Sequence, residues 1–522
     1  MKLKNAVILL LICAVIAGTG VLEASQSTPV VKLGNERLMS EYHFLIEGKK
    51  VGLVTNQSGV TGQGKSTIEL LAEDPSTRLV ALYGPEHGID GTAKAGEYVE
   101  SYTHSELGIP VYSLYGQTRM PTGEMLKDID LLLFDIQDIG ARSYTYMSTL
   151  NYCMQAAKKY NKTIVVLDRP NPLGGRTVEG PVLEDPFLSF VGVDNLPMAH
   201  GMTAGELALF FNRKINADLV VVPMEGYTRD MIFQDTGLPW VQTSPNIPDI
   251  DSVFGYMATG LGEGTGIHQA DKFKWIGGKG IDSQKFADLL NQAGLPGVVF
   301  IPEDRGEEGG VRLKIVDYHT FNPAKTGIYA LAYARSLNQF TVPKSGQTVV
   351  MFDKIMGTDK IGQYLEAGLS PQQIVANYTP GLDQFKKERE NYLIYGRDGL
   401  GTGGETQKQI TVLVKGKPVA FDSPPYIDEN DRLMVPLRAI VEALGAVVEW
   451  NPRDQSITIT KQEATLFFKI NSPLAVVNGQ TKRMDTSPVI RNDRTMIPVR
   501  YVGEYLGATV HWDPEARSVD IF

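Results

Sequence analysis

The chain has 522 residues with 50 Lys and Arg against 60 Asp and Glu, a formal net charge of −10. That balance, with no basic block, excludes the electrostatic footprint of a nucleic-acid binder or of a protein held on an anionic membrane by charge. The length suits two to four domains at ~150 residues each. Cys13 falls in a leader, so Cys153 has no disulfide partner and stability must come from packed cores.

Residues 1–24 read as a secretion signal: Lys2 and Lys4 precede an apolar stretch, 6–17, that is too short to span a membrane, and small residues follow before Ser25. Leu11-Ile12 ahead of Cys13 lacks the small residue of a lipidation site. The expected location is therefore secreted or associated with the cell envelope.

From residue 51 to 223, short apolar runs alternate with amphipathic stretches. Strands are expected at 51–54, 79–82, 111–114, 131–134, 164–167 and 219–222. Between them, Ser66 with Glu69 and Thr203 with Glu206 have capping-box spacing, which marks helix starts. Strands alternating with helices predict a mostly parallel sheet covered on both faces, a Rossmann-like domain over residues 25–245. Cys153, within an apolar helical stretch, reads as a buried thiol.

Polar residues follow nearly every strand: Asn56 after the first, Glu86 and His87 after the second, Asp135 and Asp138 after the fourth, Asp168, Arg169 and Asn171 after the fifth. In open α/β sheets ligands bind beyond the carboxyl ends of the strands, so these loaded ends predict a shared pocket. The stretch LVALYGPEHG, residues 79–88, is the sharpest of them, a buried strand halted by Gly84-Pro85 with an acid and an imidazole just beyond. A competing reading comes from GVTGQGKS, residues 59–66, which fits the phosphate-loop pattern and would make the protein a nucleotide hydrolase with Lys65 on the phosphates. Against it, residues 55–58 separate the first glycine from its strand.

Residues 246–398 read as a second α/β domain that completes a cleft. It contains the Gly-rich LGEGTG at 261–266, a helix from Ser283 capped by Asp282, strands at 298–301 and 311–316, a long helix near 325–337 and another opened by Ser370-Pro371. GLGTGG, 399–404, lies in a flexible linker taken as 399–408. The remainder, 409–522, holds a repeat: RLMVPLRAIVEALGAVVEWNPRDQSITI from 432 recurs as RTMIPVRYVGEYLGATVHWDPEARSVDI from 494. Each copy reads as strand, short helix and a hairpin around Asn451-Pro452 or Asp513-Pro514, forming a small α+β domain. Trp450 and Trp512 are expected to pack in its core rather than to bind sugar.

Laid side by side, GLVTNQSGV, LYGPEHG, DLLLFDIQDIGARSYTY, VLDRPNPLGG, VEGPVL, AHGMTAGELA and GEGTG resemble the exo-β-N-acetylmuramidases of the bacterial NamZ family, from about residue 51 to 395. The resemblance implies release of terminal N-acetylmuramic acid from the non-reducing ends of peptidoglycan fragments, in a cleft between two domains, without a cofactor or metal. It places the family's proposed catalytic glutamate on Glu86. The sequence departs at 266–273, GIHQADKF, where relatives often carry a basic Arg-Pro-Phe stretch. The repeat resembles the stalk domains named from copper amine oxidase N-termini, which implies cell-wall attachment or spacing. It implies no copper chemistry, because the duplicated region has only His511.

Glycoside cleavage needs an acid for the leaving oxygen and a second group at the sugar carbon. Glu86, in a partly buried pocket, suits the acid. His87 would tune or replace it, and Asp135, Asp138, Asp168 and Glu179 are candidate partners, with Asp138 favoured. The substrate's own 2-acetamido group is an alternative nucleophile. Arg142, Arg169 and His200 suit a clamp on the lactyl carboxylate, while Asn56, Tyr144, Asn171 and Glu263 complete the expected substrate contacts. A non-catalytic wall protein that binds muropeptides is the third reading.

Overall fold

The computed structural model describes residues 31–396 and, apart from 420, 422, 429–431, 453, 492–493 and 514–517, residues 410–522. The leader, the Gly-rich linker and Pro514 lie outside the described residues. Among the described residues no helix is long and apolar enough to cross a membrane.

The first domain is built on a seven-stranded sheet: β1 (Lys50–Thr55), β2 (Arg78–Gly84), β3 (Tyr102–Thr103), β4 (Pro110–Ser113), β5 (Leu131–Asp135), β6 (Thr163–Leu167) and β7 (Leu219–Val222). Their order is β3-β4-β2-β1-β5-β6-β7, parallel throughout except for the short edge strand β3. β2 runs two residues past the expected end, to Gly84, because Pro85 rather than Gly84 stops it. Successive side chains of the strands enter two different cores. Val54, Tyr83, Phe134 and Val166 face the helices Tyr146–Lys159 and Ala204–Ile215, whereas Leu53, Leu82, Leu133 and Leu167 face Leu38 and Leu71. Cys153 is fully buried in the first core, and burial pushes its thiol far above the usual range, which removes it as a nucleophile. Both expected capping boxes are present, Ser66 with Glu69 and Thr203 with Glu206.

The second domain carries a four-stranded antiparallel sheet of β8 (His268–Ala270), β9 (Trp275–Lys279), β10 (Val298–Pro302) and β11 (Glu308–Ile315), in the order β10-β11-β9-β8. Helices Ile250–Thr259, Ser283–Gln292, Pro323–Leu337 and Pro371–Arg389 complete it, the second capped by Asp282 and the last opened by Ser370-Pro371.

In the C-terminal domain the two repeats meet at their first strands, Leu433–Pro436 and Arg494–Pro498, which pair antiparallel with Val435 opposite Ile497. Those two residues are equivalent in the repeat, so a local twofold axis passes between them. Trp450 departs from expectation. It sits on an edge strand and is 41% exposed, whereas Trp512 packs partly against the core.

Buried polar contacts lock the first two domains together. Asp168, at the end of β6, accepts hydrogen bonds from Thr203 Oγ1 (2.8 Å), the Gly205 amide (2.7 Å) and Tyr395 Oη (2.6 Å). Glu179 accepts from Asn322 Nδ2 (3.1 Å) and Tyr378 Oη (3.0 Å). Arg142 donates to the carbonyls of Pro181 (3.0 Å), Leu196 (2.8 Å) and Ile355. Burial raises the Asp168 carboxyl to about 7, outweighing the donors that pull it down. Its folded-state value exceeds the ~3.9 of an unfolded aspartate. The stability it contributes is therefore complete below pH ~4 and is lost as pH rises through about 7. Asp168→Asn is expected to cost about 1–3 kcal/mol at pH 4, because one buried donor loses its acceptor, and to flatten the fall in melting temperature between pH 4 and 8. A variant with the wild-type pH profile would assign that fall to another group.

Candidate active site

Glu86 lies just beyond β2, one strand away from the β1/β5 junction at which the winding of the sheet reverses. It is 8% exposed. The next residue, His87, takes a left-handed backbone at φ 72°, which turns the chain sharply after the strand. His87 Nδ1 then donates to the Ala93 carbonyl at 2.6 Å, and the Ala93 amide returns a bond to the His87 carbonyl at 3.3 Å. The loop curls back so that the Gly96 amide donates to Glu86 Oε1 at 2.9 Å, while Thr145 Oγ1 donates to Oε2 at 2.6 Å. Both carboxylate oxygens are thus fixed, and His87 serves to hold the loop that fixes one of them.

Asp138 and His200 form a buried pair close by, with His200 Nε2 3.4 Å from Asp138 Oδ2. The Met202 amide donates to His200 Nδ1 at 3.2 Å, so the neutral ring carries its proton on Nε2, toward Asp138. The Gly140 amide donates to the same Oδ2 at 2.8 Å. Gly140 has φ 80°, and a Cβ there would meet Asn171 Oδ1 at 2.4 Å, so only glycine makes this turn. Asp138 Oδ1, His200 Nε2 and Asn56 Nδ2 are all buried and have no hydrogen-bond partner. Buried polar atoms are ordinarily paired, so three such atoms around one loop cluster mark a place for a polar ligand.

An aromatic wall comes from both domains. Tyr144 packs edge-on against Tyr146 (4.8 Å between centroids) and against Tyr256 of the second domain (5.8 Å), and its hydroxyl donates to Thr243 Oγ1 at 2.9 Å. Ser143 Oγ lies 3.4 Å from Tyr256 Oη. Burial chiefly raises the Tyr256 phenol, and the nearby Glu86 and Asp138 charges add to it.

Of the remaining expected residues Asn171 adjoins this cluster beside Gly140, and the others are not gathered here. Asp135 is held by Arg169 through two bonds (2.5 and 3.0 Å), by Thr67 Oγ1 (2.5 Å) and by Asn35 Nδ2 (3.2 Å). Asn171 donates to the Met202 carbonyl at 3.0 Å. Asp168 and Glu179 are interdomain ties, and Glu263 is exposed in its turn. The expected carboxylate clamps Arg142 and Arg169 are corrected in the same way. Both are buried and bonded to protein acceptors, Arg169 to Asp135 and the Val60 carbonyl and Arg142 through its two terminal nitrogens, with Arg142 Nε left without a partner, and burial lowers Arg142 to about 9. The glycine-rich segment is an internally bonded turn: Thr61 Oγ1 accepts from the Gln63 and Lys65 amides, Ser66 caps the following helix, and Lys65 pairs with Glu73. The Gln63 and Lys65 amides are thereby withdrawn from any phosphate.

Sequence reasoning missed Thr145, Ser143, Tyr256 and Gly96. Thr145 and Ser143 sit inside the quoted SYTY stretch, but nothing in their spacing marks a contact to a residue 59 positions away. Tyr256 lies on an apolar helix face, Ile250–Thr259, and reads as core.

Comparison with known proteins follows this division of the chain. Residues 51–251 match the N-terminal domain model of exo-β-N-acetylmuramidase NamZ, residues 254–395 match its C-terminal domain model, and residues 413–521 match the copper amine oxidase N-terminal domain. The chain is 44% identical over 384 residues to the peptidoglycan β-N-acetylmuramidase NamZ of Bacillus subtilis (strain 168), covering 70% of this chain and 92% of that protein. Two solved DUF1343 family proteins of Bacteroides fragilis NCTC 9343 superpose with TM-scores of 0.64 and 0.54 at 37% and 27% identity, each covering 70% of this chain and 99% of the other. A protein named as a protease inhibitor from Brevibacillus choshinensis is 25% identical over 127 residues, 24% of this chain and 38% of its own length. With two consecutive domain models and a 44%-identical relative matched over nearly its full length, the chain belongs to the NamZ family of glycosidases.

Proposed function

We propose that the protein is an exported exo-β-N-acetylmuramidase that removes terminal N-acetylmuramic acid from the non-reducing ends of peptidoglycan fragments, with Glu86 as its acid. The observation that carries this reading is the doubly held Glu86 carboxylate beside three unpartnered buried polar atoms. Glu86 gives its proton to the glycosidic oxygen as the bond to C1 breaks, and takes one back from the water that completes hydrolysis. Asp138 Oδ1 is an acceptor lacking a donor, and the 2-acetamido N–H of the sugar supplies one. That bond turns the acetamido oxygen toward C1, where it stabilises the developing positive charge. The Gly140 amide holds Asp138 for this role through Oδ2, and the unpartnered Nε2–H of His200 stands 3.4 Å from the same oxygen. Export rests on the lysines and apolar run of residues 1–24.

The C-terminal domain serves as the wall attachment. A cavity of about 710 Å³ there is lined by Trp450, Ile490, Pro436, Arg438, Glu442 and Arg494. A half-exposed indole beside two guanidiniums suits a sugar face and the carboxylates of muramic acid residues.

Two outcomes are expected. Release of 4-nitrophenol from 4-nitrophenyl β-N-acetylmuramide falls about 10²–10⁴-fold in Glu86→Gln, and the β-N-acetylglucosaminide is cleaved poorly by either protein. Absence of muramide cleavage by folded wild-type protein would leave muropeptide binding as the function. In co-sedimentation with purified peptidoglycan sacculi, the bound fraction of the Trp450→Ala, Arg438→Gln double variant drops about 10-fold or more, the size expected for losing an anchoring aromatic and a charge. Equal sedimentation of both proteins would place attachment elsewhere.

A further inference from the structure

Arg119 is an exposed guanidinium on the loop that follows β4. That loop runs beside the one carrying Glu86: the Leu114 amide donates to the Gly84 carbonyl at 2.8 Å, and the Val99 amide donates to the Tyr115 carbonyl at 3.2 Å. Arg119 Cζ lies 4.8 Å from the Tyr115 ring centroid and 4.3 Å from that of Phe190, and Phe190 packs in turn on Tyr152 at 5.4 Å. Tyr152 is on the helix Tyr146–Lys159, whose N-cap residue is Thr145, the donor to Glu86. The Tyr115 phenol is raised first by burial and then by the Glu86 charge, while Arg119 acts in the opposite direction, so the ring spans the distance between them.

Stacking fixes Arg119 without consuming its hydrogen bonds. A guanidinium meets aromatic rings through its face, and its N–H donors point outward in the plane. No hydrogen bond or ion pair from Arg119 is formed among the described residues. Arg142 and Arg169 are buried and tied to protein acceptors by their terminal nitrogens, as described above, whereas Arg119 is open to solvent on the loop beside the one that carries Glu86. N-Acetylmuramic acid differs from N-acetylglucosamine by the lactyl ether on O3, whose carboxylate is a planar, bidentate acceptor.

Resting on the muramidase reading, we infer that Arg119 is the carboxylate clamp that selects N-acetylmuramic acid over N-acetylglucosamine, held by Tyr115 and Phe190. It binds the lactyl group through two parallel N–H···O bonds while the glycosidic oxygen reaches Glu86. Arg119→Lys, which keeps the charge but not the fork, retains only part of the selectivity.

The test compares 4-nitrophenyl β-N-acetylmuramide with its lactyl methyl ester, in which the carboxylate is neutralised. Wild-type kcat/KM is expected to favour the acid by about 10- to 100-fold, the range of a charge-assisted pair. In Arg119→Gln this preference, read as the ratio of the two kcat/KM values within each protein, falls below about 3-fold, with melting temperatures matched. If Arg119→Gln discriminates acid from ester as the wild type does, the clamp is elsewhere and the inference fails. Calorimetric binding of free N-acetylmuramic acid to Glu86→Gln, with and without Arg119→Gln, reads the clamp without turnover. Loss of binding in the double variant supports it even where cleavage is absent. Unchanged binding, or none to the Glu86→Gln parent, overturns it.

Discussion

The hydrogen bond from Thr145 to Glu86 is the contact on which the arrangement of the site depends. Elsewhere in this chain Ser66, Thr122 and Thr203 stand at helix N-caps and accept the amide of the third helical residue. Thr145 occupies the same position on the helix Tyr146–Lys159 and makes no such cap bond. Its hydroxyl is turned to the carboxylate instead, at 2.6 Å. A lost cap costs about 0.5–2 kcal/mol, and the helix tolerates it because ten of its fourteen residues are buried against the sheet and its neighbours. A helix anchored by packing can use its first turn for something other than its own stability.

That trade separates two kinds of buried carboxylate. Asp135 and Asp168 have every oxygen engaged by donors from distant parts of the chain, and breaking a pair such as Asp135–Arg169 costs about 3–5 kcal/mol because a buried charge is left alone. They join β5 and β6 to segments distant in sequence, among them those of Asn35 and Tyr395. Glu86 and Asp138 are held by fewer donors, chiefly amides of their own loops, and Asp138 keeps one oxygen without a donor. Asp138 is set apart from the scaffold carboxylates by that unsatisfied oxygen, and Glu86 by having one donor per oxygen and no cationic partner.

This distinction is also where the sequence stops being legible. Strand positions, capping boxes, the repeat and the loaded strand ends follow from local periodicity and spacing, and the parallel sheet follows from their alternation. Asp135, Asp138 and Asp168 look alike at that level, each an acid just past an apolar run. What divides them is a set of partners tens to hundreds of residues away, as with Tyr395 on Asp168 or Asn35 on Asp135, and no local pattern encodes those contacts. Trp450 fails for a related reason. It lies directly opposite buried Ile457 and so shares its face, but it sits on the edge strand of the sheet, where the core does not extend far enough to cover the indole and periodicity alone reads core.

The aromatic wall gives the two-domain architecture a purpose. Tyr144 and Tyr146 belong to the first domain and Tyr256 to the second, and Thr243, which receives the hydroxyls of both Tyr144 and Tyr146, lies at the end of the first. On the muramidase reading proposed above, a sugar subsite walled in this way exists only when the two domains are docked. The docking is carried by buried polar ties, Asp168 with Tyr395, Glu179 with Tyr378 and Arg142 with the Ile355 carbonyl, each of which is costly to leave unpaired. Apolar packing alone would let the second domain shift over its partner with little penalty, because such contacts are non-directional. Directional ties fix the angle at which Tyr256 approaches Glu86 and Asp138, and so set the geometry of the reaction from outside the site.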